Sequence, residues 1–260
     1  MEAKVIVISN QKGGTGKTAL SFEIGTILSK NHKVLFVDLD GQTDLTSMLI
    51  NHESEPIEKG ALEALEGTEN ARNLIVNINS HADILPGTES LLNADYVLMT
   101  KGGRISERLS NALEPIKKNY DYIVIDTPPK LGVMTTNALS AADYVFIPTL
   151  AEVKSIDGAI RFLKTFQEME HTGKADALLS GIIVNRFNGR SIINRSMYGS
   201  IEDIARQLNT RVFVIKDTVK IREAHFFGRS VTQESPKIEV SRELVEVVNY
   251  IEGMADTGSN

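Results

Sequence analysis

Short runs of consecutive apolar residues recur along the chain, separated by longer stretches in which apolar positions return with helical spacing. The runs are KVIVIS from Lys4, KVLFVD from Lys33, ADILPG from Ala82, YDYIVID from Tyr120, DYVFIP from Asp143, LLSGIIVN from Leu178 and VFVI from Val212. Val, Ile and Leu fill them without the every-second-residue alternation of a half-exposed strand, so they predict strands covered on both faces. The stretches between them, such as 17–30 and 155–171, predict helices. Strands alternating with helices imply an α/β fold: a doubly wound, mostly parallel sheet with helices on both faces. No internal repeat or linker divides the chain. The expectation is a single domain over residues 1–253, followed by a disordered tail over 254–260.

Composition narrows the chemistry. A chain of 260 residues that is 42% hydrophobic can bury a full core. Cysteine is absent, which excludes disulfides, thiolate metal sites, iron–sulfur clusters and cysteine nucleophiles. No apolar stretch is long enough to span a bilayer, and the N-terminus reads as the start of a strand, so a cytoplasmic protein is expected. The net charge of −6 hides an asymmetry: residues 181–237 carry ten Lys/Arg against five Asp/Glu. The five histidines, at 32, 52, 81, 171 and 225, have no metal-ligand spacing and read as surface or loop residues.

The segment NQKGGTGKT, residues 10–18, lies between the first predicted strand and the first predicted helix, where a phosphate site is expected. Gly13, Gly14 and Gly16 allow successive backbone N–H groups to turn toward phosphate oxygens. The following helix adds the positive end of its dipole. Lys17 is placed to reach the β and γ phosphates, and the Thr18 hydroxyl to join a Mg²⁺ shell. A second lysine, Lys12, precedes the loop's usual one, and Gln11 stands where the common pattern has glycine. Beyond the loop, Asp38 and Asp40 of VDLDGQTD close one predicted strand, and Asp126 of YIVIDTPPKLG closes another. All these positions fall at the carboxyl edge of a parallel sheet, where such folds bind ligands.

KGGTGKT resembles the deviant Walker A motif of the ParA/MinD family of P-loop ATPases, and the likeness runs from Lys4 to about Val248. It implies ATP as ligand, contacted by Gly13, Gly14, Thr15, Gly16, Lys17, Thr18 and Ala19. The strand-end Asn185 would recognise the adenine edge. Thr18, Asp38 and Asp126 would surround Mg²⁺. Lys12, Lys17 and Asp40 would be the catalytic residues, with Asp40 orienting the attacking water. Lys12 would reach across an ATP-sandwich homodimer to the partner's phosphates, a cation supplied in trans like an arginine finger. Gly41 replaces the proline common in the family after Asp40, which implies a looser switch.

The resemblance continues through VFVIKDTVKIREAHFFGRSV and assigns non-specific DNA binding to Arg190 and Lys220, with Arg222 close by. It further implies a ParB-like centromere-binding partner that accelerates hydrolysis, and association with the nucleoid. A MinD-like membrane ATPase would end in a basic amphipathic helix, whereas SRELVEVVNYIEGM is acidic; no membrane partner is expected. A metabolic P-loop enzyme would share the loop but has no use for Lys12 or the basic stretch. No helix-turn-helix segment precedes Lys4, so operator binding is not expected.

Overall fold

The computed structural model describes residues 2–50 and 56–257, so His52 lies outside the described residues. The strands are β1 (Lys4–Ile8), β2 (Val34–Asp38), β3 (Val76–Asn79), β4 (Ala82–Leu85), β5 (Tyr122–Asp126), β6 (Tyr144–Leu150), β7 (Leu178–Phe187) and β8 (Arg211–Lys216). They form one sheet in the order β3-β4-β2-β5-β1-β6-β7-β8. Every pairing is parallel except β3 with β4, so the fold is the expected doubly wound α/β type with an antiparallel edge.

Neighbouring residues of the central strands point to opposite faces, and both faces are apolar. Val5, Val7, Leu35, Val37, Ile123 and Ile125 pack on one side, under a layer that includes Phe162 and Phe166 of the helix Val153–His171. Ile6, Ile8, Phe36, Val124 and Phe146 pack on the other. There they meet Leu20, Ile24 and Leu28 of the helix that follows the glycine loop, Lys17–Leu28, hereafter the P-loop helix. The C-terminal helix, Glu239–Thr257, lays Val240, Leu244, Val247, Val248 and Ile251 into the same layer. It runs past Gly253, where a tail was expected, because the apolar spacing of this helix continues to Met254 and Ala255, which pack on the core.

Strand register levels the functional ends. Asp38 of β2 sits opposite Asp126 of β5, and Ile8 of β1 sits opposite Asp126 on the other side. The glycine loop therefore leaves the sheet directly beside two strand-end carboxylates. β3 is not among the strands the apolar runs predict, because VNIN alternates apolar and polar residues on an exposed edge.

Candidate nucleotide site and basic edge

The glycine loop is held from below by buried polar side chains. Asn10 donates to the Pro148 carbonyl at 2.7 Å and accepts the Lys12 N–H at 3.0 Å. Asn185, at the end of β7, donates to the Thr15 carbonyl at 2.9 Å. Gly16 caps the P-loop helix with φ of 93°, a left-handed conformation that disfavours side chains. A Cβ there would also stand 2.1 Å from Asn185 Nδ2, so only glycine lets that brace form. Asn185 thus underpins the loop, and it faces the narrow cavity beside it rather than the main pocket.

Above the loop lies an open cavity of about 930 Å³, lined at one end by Gly13, Gly14, Gly16, Lys17, Thr18 and Asp40. Its other end is formed by Met48, Leu49, Ile50, His225, Phe226 and Phe227. A smaller cavity of about 90 Å³ adjoins it, sharing Ala19, Arg186 and His225 and adding Asn185 and Thr218. Two non-glycine residues beside this space adopt left-handed backbone angles, Thr43 with φ of 58° and Arg186 with φ of 51°. Such angles cost about 1 kcal/mol or more each, so strain is concentrated at the pocket.

Lys17, Asp38 and Asp126 are buried around the loop, with Asp40 half-exposed at its mouth. Burial lowers the Lys17 pKa, opposed by the nearby Asp126 and Asp40 carboxylates. Burial raises Asp126 to about 8, helped by repulsion from Asp38 and opposed by the Thr18 hydroxyl and Lys17. Burial likewise raises Asp38 to about 6, against hydrogen bonds from Thr46 and Asp40. The excess of buried negative charge over Lys17 suits a site that receives a cation.

The two strand-end aspartates differ in how they are used. Asp38 Oδ2 accepts from Thr46 N at 3.0 Å and Thr46 Oγ1 at 2.7 Å, and Oδ1 accepts from the Asp40 N–H at 3.1 Å. Asp38 therefore fixes the short switch helix Asp44–Leu49 rather than presenting an uncommitted oxygen. Asp126 Oδ1 accepts from Ser21 Oγ at 3.3 Å, while its buried Oδ2 has no partner. A buried carboxylate oxygen left bare is costly unless something else satisfies it. Asp126 Oδ2 and the Thr18 hydroxyl fit a Mg²⁺ ion that keeps several waters and takes phosphate oxygens as further ligands. No cluster of three His, Asp or Glu side chains suited to a metal occurs among the described residues, and Mg²⁺ of that kind needs none. Ser21 is a site residue that the sequence did not single out; its place one turn beyond Lys17 was the available signal.

The switch after β2 is packed, contrary to the expectation of looseness. Gly41 is buried, and a Cβ on it would lie 2.9 Å from the Leu92 N and 2.8 Å from the Leu92 side chain. The glycine is present because another segment occupies the space. After β5, Thr127 Oγ1 donates to the Ile8 carbonyl at 3.0 Å, and Pro129 lines the cavity above Gly13.

Lys12 is exposed at the rim, and its ammonium has no hydrogen-bond or ion-pair partner among the described residues. Its Cβ rests against Gly158, where any side chain would collide at 2.8 Å. The candidate DNA residues lie on the adjacent ends of β7 and β8, joined by the bond from Asp217 N to the Phe187 carbonyl at 3.1 Å. Arg190 is exposed in the turn before the helix Ile192–Gln207. Lys220 pairs with Glu223 at 2.7 Å and Arg222 lies 3.9 Å from Asp217, so these two cations are partly neutralised within the chain. His225, read from the sequence as a surface residue, is instead largely buried against Glu23 of the P-loop helix.

A glycine loop cradled between a strand and a helix, with strand-end carboxylates level beside it, defines a P-loop nucleotide-binding protein. The family model of the AAA domain matches residues 3–178. The chain is 32% identical over 238 residues to the sporulation initiation inhibitor protein Soj of Bacillus subtilis, covering 90% of this chain and 92% of Soj. It is 31% identical over 241 residues to the chromosome-partitioning ATPase Soj of Thermus thermophilus, covering 91% of each. Among solved structures, the Cyanothece McdA(D38A)–ATP complex superposes with a TM-score of 0.89 at 28% identity, covering 96% of this chain and 97% of McdA. The chain belongs to the ParA/Soj family of partition ATPases.

Proposed function

We propose that the protein is an ATP-dependent partition ATPase whose ATP-bound homodimer binds DNA without sequence preference and releases it on hydrolysis. ATP lies with its phosphates over Gly13–Thr18 and its base toward Asn185 and Ala19. Lys17 neutralises the β and γ phosphates. Mg²⁺, held by Thr18 and Asp126, supplies charge neutralisation at the transferring phosphate. Asp38 holds the switch segment so that Asp40 can orient the attacking water. Positioning and charge neutralisation carry most of phosphoryl transfer, so no group need act as a base of raised pKa.

The observation that carries the dimer is Lys12. A lysine whose ammonium has no partner, standing at the rim beside a site already served by the buried Lys17, is free to act on a second molecule. Exposed apolar side chains support the same reading: Leu131 and Val153 come a few residues after the carboxyl ends of β5 and β6, the two strands that flank β1 and its loop. Arg190, Lys220 and Arg222 form the DNA face, where a dimer doubles a few weak phosphate contacts. A ParB-like partner stimulates hydrolysis, and the ATP-bound form associates with the nucleoid. The apolar stripe of the C-terminal helix is spent on the core, and no described helix is long and apolar enough to cross a membrane.

The test is binding to a random-sequence duplex at low salt with ATP–Mg²⁺, ADP–Mg²⁺ or neither, in wild type and Lys12→Ala. The expected result is binding only with ATP, lost together with the dimer in Lys12→Ala. Binding that ignores the nucleotide, or an unchanged dimer in the variant, overturns the scheme.

A further inference from the structure

Glu23 stands on the P-loop helix nearly two turns past Lys17 and is 1% exposed. Its carboxylate gathers donors from a distant stretch of chain. Oε1 accepts from His225 Nε2 at 2.8 Å and from the Val231 N–H at 2.9 Å, and Oε2 accepts from Ser230 Oγ at 2.5 Å. The His225 ring also stands edge-on to Phe22, with centroids 5.1 Å apart. In the turn just beyond this helix's C-terminal cap, Lys30 Nζ donates to Thr232 Oγ1 at 3.3 Å. The P-loop helix and the turn that follows it therefore grip the 225–232 segment at both ends of the turn that carries Phe226 and Phe227.

That turn is a wall of the nucleotide cavity. His225, Phe226, Phe227 and Gly228 line it, facing Met48, Leu49 and Ile50 of the switch region. The segment just before it is the helix Val219–Phe226, which bears Lys220 and Arg222. Glu23 is thus attached at one end to the loop that holds phosphate and at the other to the helix assigned to DNA. A buried carboxylate is expensive, and an apolar side chain would pack the P-loop helix at lower cost. What the acid adds is a directional attachment.

We infer that Glu23 and His225 are positioning residues that make the 219–231 segment a nucleotide-responsive wall, so that occupancy of the phosphate loop sets the order of the helix carrying Lys220 and Arg222. This rests on the nucleotide reading above. A bound nucleotide fixes the P-loop helix and contacts the wall, and the Glu23–His225 bond makes the two orderings one event. Such a shared element is what couples two sites energetically.

The test is hydrogen exchange of wild type, His225→Ala and His225→Gln, each with and without ADP–Mg²⁺. In the wild type, nucleotide should slow exchange both in 13–19 and in 219–231. In His225→Ala the protection of 13–19 should persist while that of 219–231 is largely lost. Nucleotide affinity should fall roughly 2- to 30-fold, the range for mutations along a coupling network. Gln, whose terminal amide can take the place of Nε2–H, should restore the protection, which a general loss of stability would not allow. Protection of 219–231 that survives in His225→Ala, or that is absent in a wild type whose 13–19 loop is protected, overturns the proposal. Absence of protection at 13–19 in the wild type overturns the nucleotide reading itself.

Discussion

The phosphate end of the cavity and the basic edge at β7 and β8 are built by opposite means. Around the glycine loop, Asn10, Ser21, Asp38, Thr127 and Asn185 are buried and hydrogen-bonded to fixed partners. At the basic edge, Lys220 and Arg222 are more than half exposed and hold carboxylates of their own chain. Exposed pairs of this kind contribute about 0–1 kcal/mol, so exchanging Glu223 or Asp217 for a phosphate oxygen costs little. The first region is shaped before its ligand arrives. The second is a set of loosely committed charges whose affinity depends on number and on salt.

That contrast can be broken most severely at Lys17. Lys17→Ala removes the buried cation that would meet the phosphates, and ATP affinity should fall about 30-fold or more by titration calorimetry, in line with the roughly 2–5 kcal/mol cost of truncating one partner of a buried charge pair in a complex. Gly41→Ala tests whether the switch is packed. A Cβ meeting the Leu92 backbone should lower stability by about 1–3 kcal/mol in urea unfolding. Retained stability would restore the picture of a loose switch.

A third prediction concerns pH. Asp38 and Asp126 have folded-state pKa values of about 6 and about 8, above the ordinary 3.8. Between these values the folded state binds more protons than the unfolded one, so stability falls as pH rises. Without nucleotide and Mg²⁺, urea unfolding should therefore show declining stability from about pH 4 to about pH 8. Asp126→Asn should remove the upper part of that decline. The smallest effect belongs to the basic edge. Arg190→Ala should leave ATP affinity unchanged and reduce the slope of log affinity for DNA against log salt by about 1. A change in ATP affinity would mean that the two regions are not separable at Arg190.

The sequence carried the parts of the molecule that depend on local spacing. Seven strands, the glycine loop, the two strand-end aspartates and Asp40 just beyond β2 stood out because apolar runs and Gly–Lys–Thr order are short-range signals. What it could not carry were contacts between remote segments. Nothing in the spacing of Glu23 and His225, 202 positions apart, announces a hydrogen bond. The division of labour between Asp38 and Asp126 was also hidden, since it depends on Thr46 reaching back to one of them. The helical end of the chain reads as a tail because Gly253 interrupts the pattern and only Met254 and Ala255 continue the apolar stripe before the small polar residues that follow.

The contact between Gly41 and Leu92 also bears on how this chain can change. Placing a proline at position 41 would take not one mutation but a correlated pair or larger set. Because the nearest backbone atom belongs to residue 92 itself, shortening the Leu92 side chain alone would not make room. The segment from Thr88 onward would have to be re-routed first. Residue 41 and the stretch around residue 92 are in effect a single structural unit, and chimaeras that cut between them should fail where exchanges of the whole 38–100 block succeed.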